Sequence, residues 1–141
     1  MAQRITESFI DLEVLPVELH GKNWTYFIDK RIVEVAQRLR NQFGPITIND
    51  KYIGGNYNLS GYRPFDCGIG AKYSQHKFGR ALDLKFLEQI EPSAVLAYIL
   101  NHEREFLNIG LTRVEDTNFT PSWLHIDCAY TGINTIKIIK P

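Results

Sequence analysis

Three side chains of metal-binding type, His76, Asp83 and His125, sit in two separate short segments. Any fold that uses them together must bring those segments face to face. The first segment, Ser74-Gln75-His76-Lys77-Phe78-Gly79-Arg80-Ala81-Leu82-Asp83, spaces a histidine and an aspartate seven positions apart. The second is an aromatic and apolar run, Trp123-Leu124-His125-Ile126-Asp127. Imidazole and carboxylate are ligands that a divalent zinc accepts. Three protein ligands leave the fourth position open for water, which is the layout of a catalytic site rather than a structural one.

Local geometry is compatible with convergence. Positions i and i+2 of a strand share a face, so Trp123, His125 and Asp127 point the same way. His76 precedes Phe78-Gly79, where glycine permits a crowded backbone, and Asp83 falls on the strand that follows. A loop-borne His and a strand-borne Asp then approach one ion from two directions. Taken singly, each residue also has an ordinary reading: His125 as a hydrogen-bonded core histidine, Asp83 as a turn cap, Asp127 as a surface or turn carboxylate. His20 and His102 keep that ordinary reading, the latter on the charged helical face Asn101-His102-Glu103-Arg104-Glu105.

The rest of the chain bounds the answer. Its 141 residues suit one domain, 1–141, with no linker or repeat to divide it. A 44% hydrophobic and 23% charged composition is that of a folded protein. Lys+Arg and Asp+Glu balance at 16 each, and no basic stripe is visible, which argues against nucleic acid and anionic membranes as partners. No apolar run approaches the ~20 residues of a membrane span. The first residues, Met1 to Ser8, are polar and charged where a signal peptide has its apolar core. The expectation is therefore synthesis in the cytoplasm without export by the usual secretory route. In such a compartment Cys67 and Cys128 stay thiols rather than form their one possible disulfide. Neither has the CxxC or CxxxH spacing of a zinc ligand, and Cys128 is expected to face the core.

Element by element, residues 1–27 read as an N-terminal arm, with Ser8 to Leu19 an arm or edge strand. The clearest helix runs from about Asp29 to Phe43. Ile32, Val35, Ala36, Leu39 and Phe43 recur at helical spacing, and Gly44-Pro45 stops it. A short strand follows at Ile46-Thr47-Ile48. Asn49 to Lys72 is rich in Gly, Asn and Tyr without periodicity, a loop long enough to suggest function. A strand extends from Ala81 to Phe86. A second helix is expected over Glu91 to Leu107, with Pro92 in its first turn. Strands at Leu111–Glu115, Trp123–Ala129 and Thr135–Ile139 close the chain, the first two as a hairpin. Helices early and strands late give an α+β domain.

The motif Ser-x-His-x-x-Gly-x-Ala-x-Asp, filled here by Ser74, His76, Gly79, Ala81 and Asp83, resembles the first motif of the D-alanyl-D-alanine carboxypeptidase and dipeptidase family of zinc peptidases. That family shares its fold with the hedgehog signalling domain. Ser60-Gly61-Tyr62-Arg63 matches the segment that precedes the motif in the family, and His125 matches the later metal-binding histidine. The likeness covers residues 46–129, the motif-bearing core. It implies an antiparallel sheet with helices packed on one side. His76, Asp83 and His125 would bind zinc, and the metal would polarise the scissile carbonyl and acidify its water. Arg63, with Tyr62, Ser74 and Trp123, would hold the substrate, a planar guanidinium being suited to a carboxylate or carbonyl. The substrate would be peptides of bacterial peptidoglycan, with D-residues beside the cleaved bond.

One departure stands out. The family's carboxypeptidases and dipeptidases carry an acid three residues before the second metal histidine as general base. That place is Ser122 here. The short apolar His-x-Asp ending is closer to the cell-wall endopeptidase and phage-lysin branches. Asp127 is then expected to serve either as base through a water or as the hydrogen-bond partner of His125. Glu115 and Asp116, across the expected hairpin, are the other candidates. The functional expectation is a zinc-dependent peptidoglycan hydrolase, such as a phage lysin or virion-associated enzyme acting on the cell wall. The alternative, favoured by Ser122, is an inactive zinc-binding or wall- or protein-binding module of the same fold.

Overall fold

Asp29 opens the first helix by accepting the Arg31 backbone N–H on its side chain at 3.0 Å, and Gly44 closes it. Helix α1, Lys30–Phe43, turns Ile32, Val33, Val35, Ala36 and Leu39 inward. The computed structural model describes all 141 residues. After α1 come β1 (Ile46–Thr47), β2 (Ala81–Phe86), α2 (Pro92–Asn101), α3 (Glu103–Ile109), β3 (Arg113–Glu115), β4 (Leu124–Asp127) and β5 (Lys137–Ile139). The fold is an α+β domain of three helices and one open five-stranded sheet, in the order β1-β2-β4-β3-β5.

The sheet is mixed rather than wholly antiparallel. β1–β2, β2–β4 and β3–β4 are antiparallel, but β5 runs parallel to β3. The chain reverses after β4 and reaches the free edge of β3, so it enters in the direction of β3. The hairpin of β3 and β4 forms as expected, with Arg113 opposite Asp127.

Two other expectations change. The arm holds no edge strand. Apart from one isolated bridge, Arg4 to Ile10, it is built of short 3₁₀ turns at Asp11–Glu13, Val17–Leu19 and Trp24–Tyr26. Val14 and Leu15 are consecutive and both fully buried, which the alternation of a half-buried strand does not allow. The expected helix over Glu91 to Leu107 is two helices. At His102 the backbone leaves the helical region (φ −123°, ψ 31°), and the imidazole Nδ1 bonds the Tyr98 carbonyl at 2.9 Å, competing with the helical ladder.

Period two sorts the sheet into two faces. Leu82 and Leu84 of β2, Leu124 and Ile126 of β4 and Val114 of β3 join one apolar core. The same core takes in the inner face of α1, Val95 and Ile99 of α2, and Phe106 of α3. The alternate positions, Asp83, Lys85, Arg113, Glu115, His125 and Asp127, fall on the opposite face. Nearly every charged group of the central strands is thus gathered on one surface, with a packed core behind it.

The arm and the long loop support that surface through the backbone. Val14 O accepts the Tyr62 N–H at 2.8 Å, and Leu15 O accepts from the Asn49 side chain at 3.3 Å. Asn49 is buried, and its Oδ1 takes the Ser60 N–H at 2.8 Å, while Ser60 O takes the Asp83 N–H at 2.8 Å. A continuous chain of hydrogen bonds therefore runs from the arm to Asp83.

Candidate metal centre

The register of β2 against β4 sets Asp83 directly opposite His125. His76 enters from the 3₁₀ turn Gln75–Phe78, which Ser74 caps by accepting the His76 N–H at 3.3 Å. Gly79 ends that turn in the left-handed region (φ 69°), and a Cβ there would drive into the Phe27 carbonyl oxygen. The glycine of the motif is therefore needed for both its dihedral and its space. The three side chains meet, a convergence that the spacing allows. One ligand atom from each lies within 4.8 Å of the others. Asp83 Oδ1 stands 3.0 Å from His125 Nδ1 and 3.3 Å from His76 Nε2.

Those separations fit a small ion. Bonds of ~2.0–2.2 Å in a tetrahedron hold ligand atoms about 3.4 Å apart. The far nitrogen of each imidazole is also committed. His76 Nδ1 donates to the Gly61 carbonyl at 2.8 Å, which leaves its Nε2 lone pair facing Asp83. His125 Nε2 donates to Asp127 Oδ2 at 3.0 Å, which turns Nδ1 toward Asp83. Fixing the outer N–H of a ligating histidine is what selects its tautomer and orientation. The group could hold a metal ion.

Asp127 is fully buried and saturated. Besides His125, it binds Arg113 through two parallel bonds, Nε to Oδ1 at 2.8 Å and Nη2 to Oδ2 at 2.9 Å, and accepts the Ala129 N–H at 3.1 Å. It lies on the side of the His125 ring away from Asp83. Glu115 is on the other side: its Oε1 is 3.9 Å from His125 Nδ1, and its side chain is 17% exposed. The β3–β4 register, carried one step past Val114 opposite Ile126, sets Glu115 opposite His125. Asp116 is turned to its own loop, capping the Asn118 N–H at 2.9 Å.

These neighbours set the charges. Burial disfavours the His125 imidazolium, but bonds to Asp127 and Asp83 outweigh it and raise the pKa to about 9. Burial likewise pushes Asp83 up, yet the two histidines hold its carboxyl well below the usual carboxylate range. Asp127 is lowered in the same way, burial being outweighed by His125 and Arg113. Lys85, on the same face of β2, is drawn down to about 8 by burial, with Asp83 and Asp50 opposing.

A cleft of about 490 Å³ opens over the triad, lined among others by Arg63, Ser74, Arg113, Glu115 and Trp123. Arg63 sits at its wall, held by the Leu59 carbonyl at 2.7 Å and Asp83 Oδ2 at 3.1 Å. Tyr62 does not line the cleft. Its ring packs on Phe27, with 5.2 Å between centroids. Gly61 is required where it is, because a Cβ would collide with the Val14 carbonyl oxygen.

Residues outside the site behave as ordinary side chains. His20 Nε2 bonds the Leu15 carbonyl at 3.1 Å, and His102 stacks on Tyr98. Both cysteines are free thiols, and Cys128 is buried in the core. Burial pushes its thiol up to about 12. No helix is long and apolar enough to cross a membrane.

Sequence reasoning passed over two participants. Arg113 carries no signal of its own and becomes legible only once the hairpin register is known. The Gly61 carbonyl is a main-chain atom, although the Ser-Gly-Tyr-Arg match did mark its segment. The chain matches no family model, no curated protein and no solved structure.

Proposed function

We propose that this protein is a zinc-dependent peptidase that hydrolyses peptide bonds of bacterial peptidoglycan, next to D-residues in the stem or crosslink. The observation that carries the reading is the convergence of His76, Asp83 and His125 with both outer imidazole nitrogens already hydrogen-bonded, beneath an open cleft. When bound, zinc supplies Lewis acidity that polarises a carbonyl oxygen and acidifies a water molecule. The substrate class rests on the resemblance of residues 46–129 to the D-alanyl-D-alanine peptidases. The biological setting we propose is a phage lysin or virion-associated hydrolase that acts on the cell wall.

The chain's own groups divide the work. Asp127, saturated and buried, orients His125. Glu115, partly exposed on the cleft side of His125, is the carboxylate placed to take a proton from water in the cleft, the office that Ser122 cannot fill near neutral pH. Arg63 and Ser74 line the wall where a peptide would lie.

Purified peptidoglycan incubated with the zinc-loaded protein tests the reading. Muropeptide release by the parent, and none by His125→Ala, is the expected result. Glu115→Gln should lower kcat by about 10²-fold or more while keeping its zinc. Ser122 favours the second reading, a zinc-binding recognition module of the same fold. Bound zinc with no release from any wall preparation would select it.

A further inference from the structure

Beside the metal cleft lies a second, smaller cavity of about 280 Å³, lined by Tyr57, Ser60, Asp83, Lys85, Ser122 and Trp123. Asp83 and Trp123 belong to the walls of both. We propose that this cavity is a carboxylate subsite, which receives an acidic group of the peptide bound at His76, Asp83 and His125. The word peptide rests on the peptidase reading above; the carboxylate chemistry does not.

The argument starts from Lys85. Its ammonium is drawn in over the Tyr57 ring, 4.1 Å from the centroid, and bonds three oxygens. These are Ile48 O at 2.5 Å, Ser60 Oγ at 2.6 Å and Asp83 O at 3.3 Å. None of the three is a carboxylate. The nearby Asp83 and Asp50 carboxylates support the charge only through space, Asp83 being bonded to Arg63 and His125 instead, so an anion that enters the cavity gains the direct charge-assisted bond that Lys85 lacks. The bond to Asp83 O is the longest of the three, so that N–H is the one most readily redirected to a ligand.

The other walls also donate. Ser60 Oγ accepts from Lys85, which leaves its own proton free to be given away. Ser122 is exposed at the rim and contributes a second hydroxyl. An acid at position 122 would face Lys85 and fill the demand from within the protein. With serine there, the demand is open to a ligand.

Spacing says which carboxylate. Lys85 lies two positions beyond Asp83 on the same face of β2, about 6.6 Å along the strand. An extended peptide covers that in two residues at ~3.3–3.6 Å each. The acidic group thus belongs one or two residues from the bond held at the metal group. Two sources fit: a free C-terminal carboxylate, which makes the enzyme a carboxypeptidase, and the side chain of an acidic residue within the stem.

Heteronuclear NMR titration of the metal-free protein separates the cases without any turnover. The probes are N-acetyl-D-Ala-D-Ala and its C-terminal amide, and N-acetyl-D-Glu amide with its D-Gln counterpart. Each acid should bind the parent about tenfold more tightly than its neutral twin if its source is the right one. Lys85→Met should abolish the preference. Because Lys85 is half-buried, Ser122→Asp serves as a second variant on an exposed position, and its added carboxylate should abolish the preference by repulsion. Equal binding of both acid–neutral pairs to the parent overturns the subsite, as does a preference that survives both substitutions. A preference that behaves as expected, in a protein that releases nothing from peptidoglycan, leaves the subsite standing and removes the hydrolase.

Discussion

Zinc should enter this site by displacing a proton from His125, and the size of the effect follows from the geometry. In the metal-free protein His125 donates from Nδ1 to Asp83 and from Nε2 to Asp127, so both ring nitrogens carry hydrogen and the imidazolium persists to about pH 9. Zinc needs the Nδ1 lone pair. At pH 7 only about one molecule in 100 has it free, which lowers the apparent affinity about 100-fold, or about 2.7 kcal/mol. Affinity should therefore climb about tenfold per pH unit between pH 7 and 9 and then level off. Calorimetric titration at pH 7.5 in two buffers of different ionisation enthalpy should count about one proton released per zinc. Asp127→Asn removes one of the two carboxylates that hold the proton and should reduce the count. Zero protons released, with affinity flat from pH 7 to 9, would refute the doubly bonded imidazolium.

Stability of the metal-free protein is a poorer reporter, and the signs show why. A histidine raised from 6.5 to about 9 adds about 3 kcal/mol below pH 6.5, and that contribution is lost as pH rises through 9. A lysine lowered from 10.5 to about 8 does the reverse: its cost of about 3 kcal/mol is present below pH 8 and lifts as pH rises toward 10.5. The two oppose each other only between about pH 8 and 9, so stability should fall from pH 6.5 to 8, hold level to 9 and recover toward 10.5, while metal affinity climbs steadily from pH 7 to 9.

Arg113→Met leaves the Asp127 carboxylate buried without its guanidinium and should cost about 3–5 kcal/mol in urea denaturation of the metal-free protein; a loss below about 1 kcal/mol would show that the pair is not holding the strand. Asp127→Asn, nearly isosteric, should fold but, above pH 9 where the parent His125 has already lost its proton, bind zinc about 10–100-fold more weakly in competition with a chelator, and unchanged affinity there would remove Asp127 from the support of His125. Gly61→Ala forces a methyl onto the Val14 carbonyl and moves the acceptor of His76 Nδ1. It should lose about 1–3 kcal/mol of stability together with zinc affinity, and parental values for both would contradict the close approach. Iodoacetamide at pH 8 should label Cys67 and spare Cys128, whose thiol is buried and pushed up to about 12; two labels per native molecule would place Cys128 at the surface.

What the letters reveal about this chain depends on whether a property belongs to a side chain or to a register. Helix α1 is legible because its apolar stripe repeats every three to four residues between a capping aspartate and Gly44-Pro45. The arm is not, because three-residue turns have no period to read. The break at His102 is marked by neither Gly nor Pro, and nothing in Lys137–Ile139 records that the strand will run parallel to β3.

The site divides in the same way. His76, Asp83 and His125 announce themselves because imidazole and carboxylate are ligands wherever they stand. Arg113 and Lys85 do not, because an arginine two residues before a glutamate is ordinary until its strand is aligned, and Glu115 is legible only as one candidate carboxylate beside Asp127 and Asp116. Alignment is also what gives them meaning. With Arg113 opposite Asp127, the guanidinium reaches the carboxylate that orients His125, and Glu115 comes beside the His125 Nδ1. A slip of one residue in β3 would send both side chains into the apolar core and bring Val114 to the cleft. Val114 is fully buried in that core with Leu124 and Ile126 around it. The apolar residues of the hairpin thus hold its polar ones in place, and the hydrophobic alternation of β3 and β4 is as much a part of the candidate metal centre as the three side chains that could bind the ion.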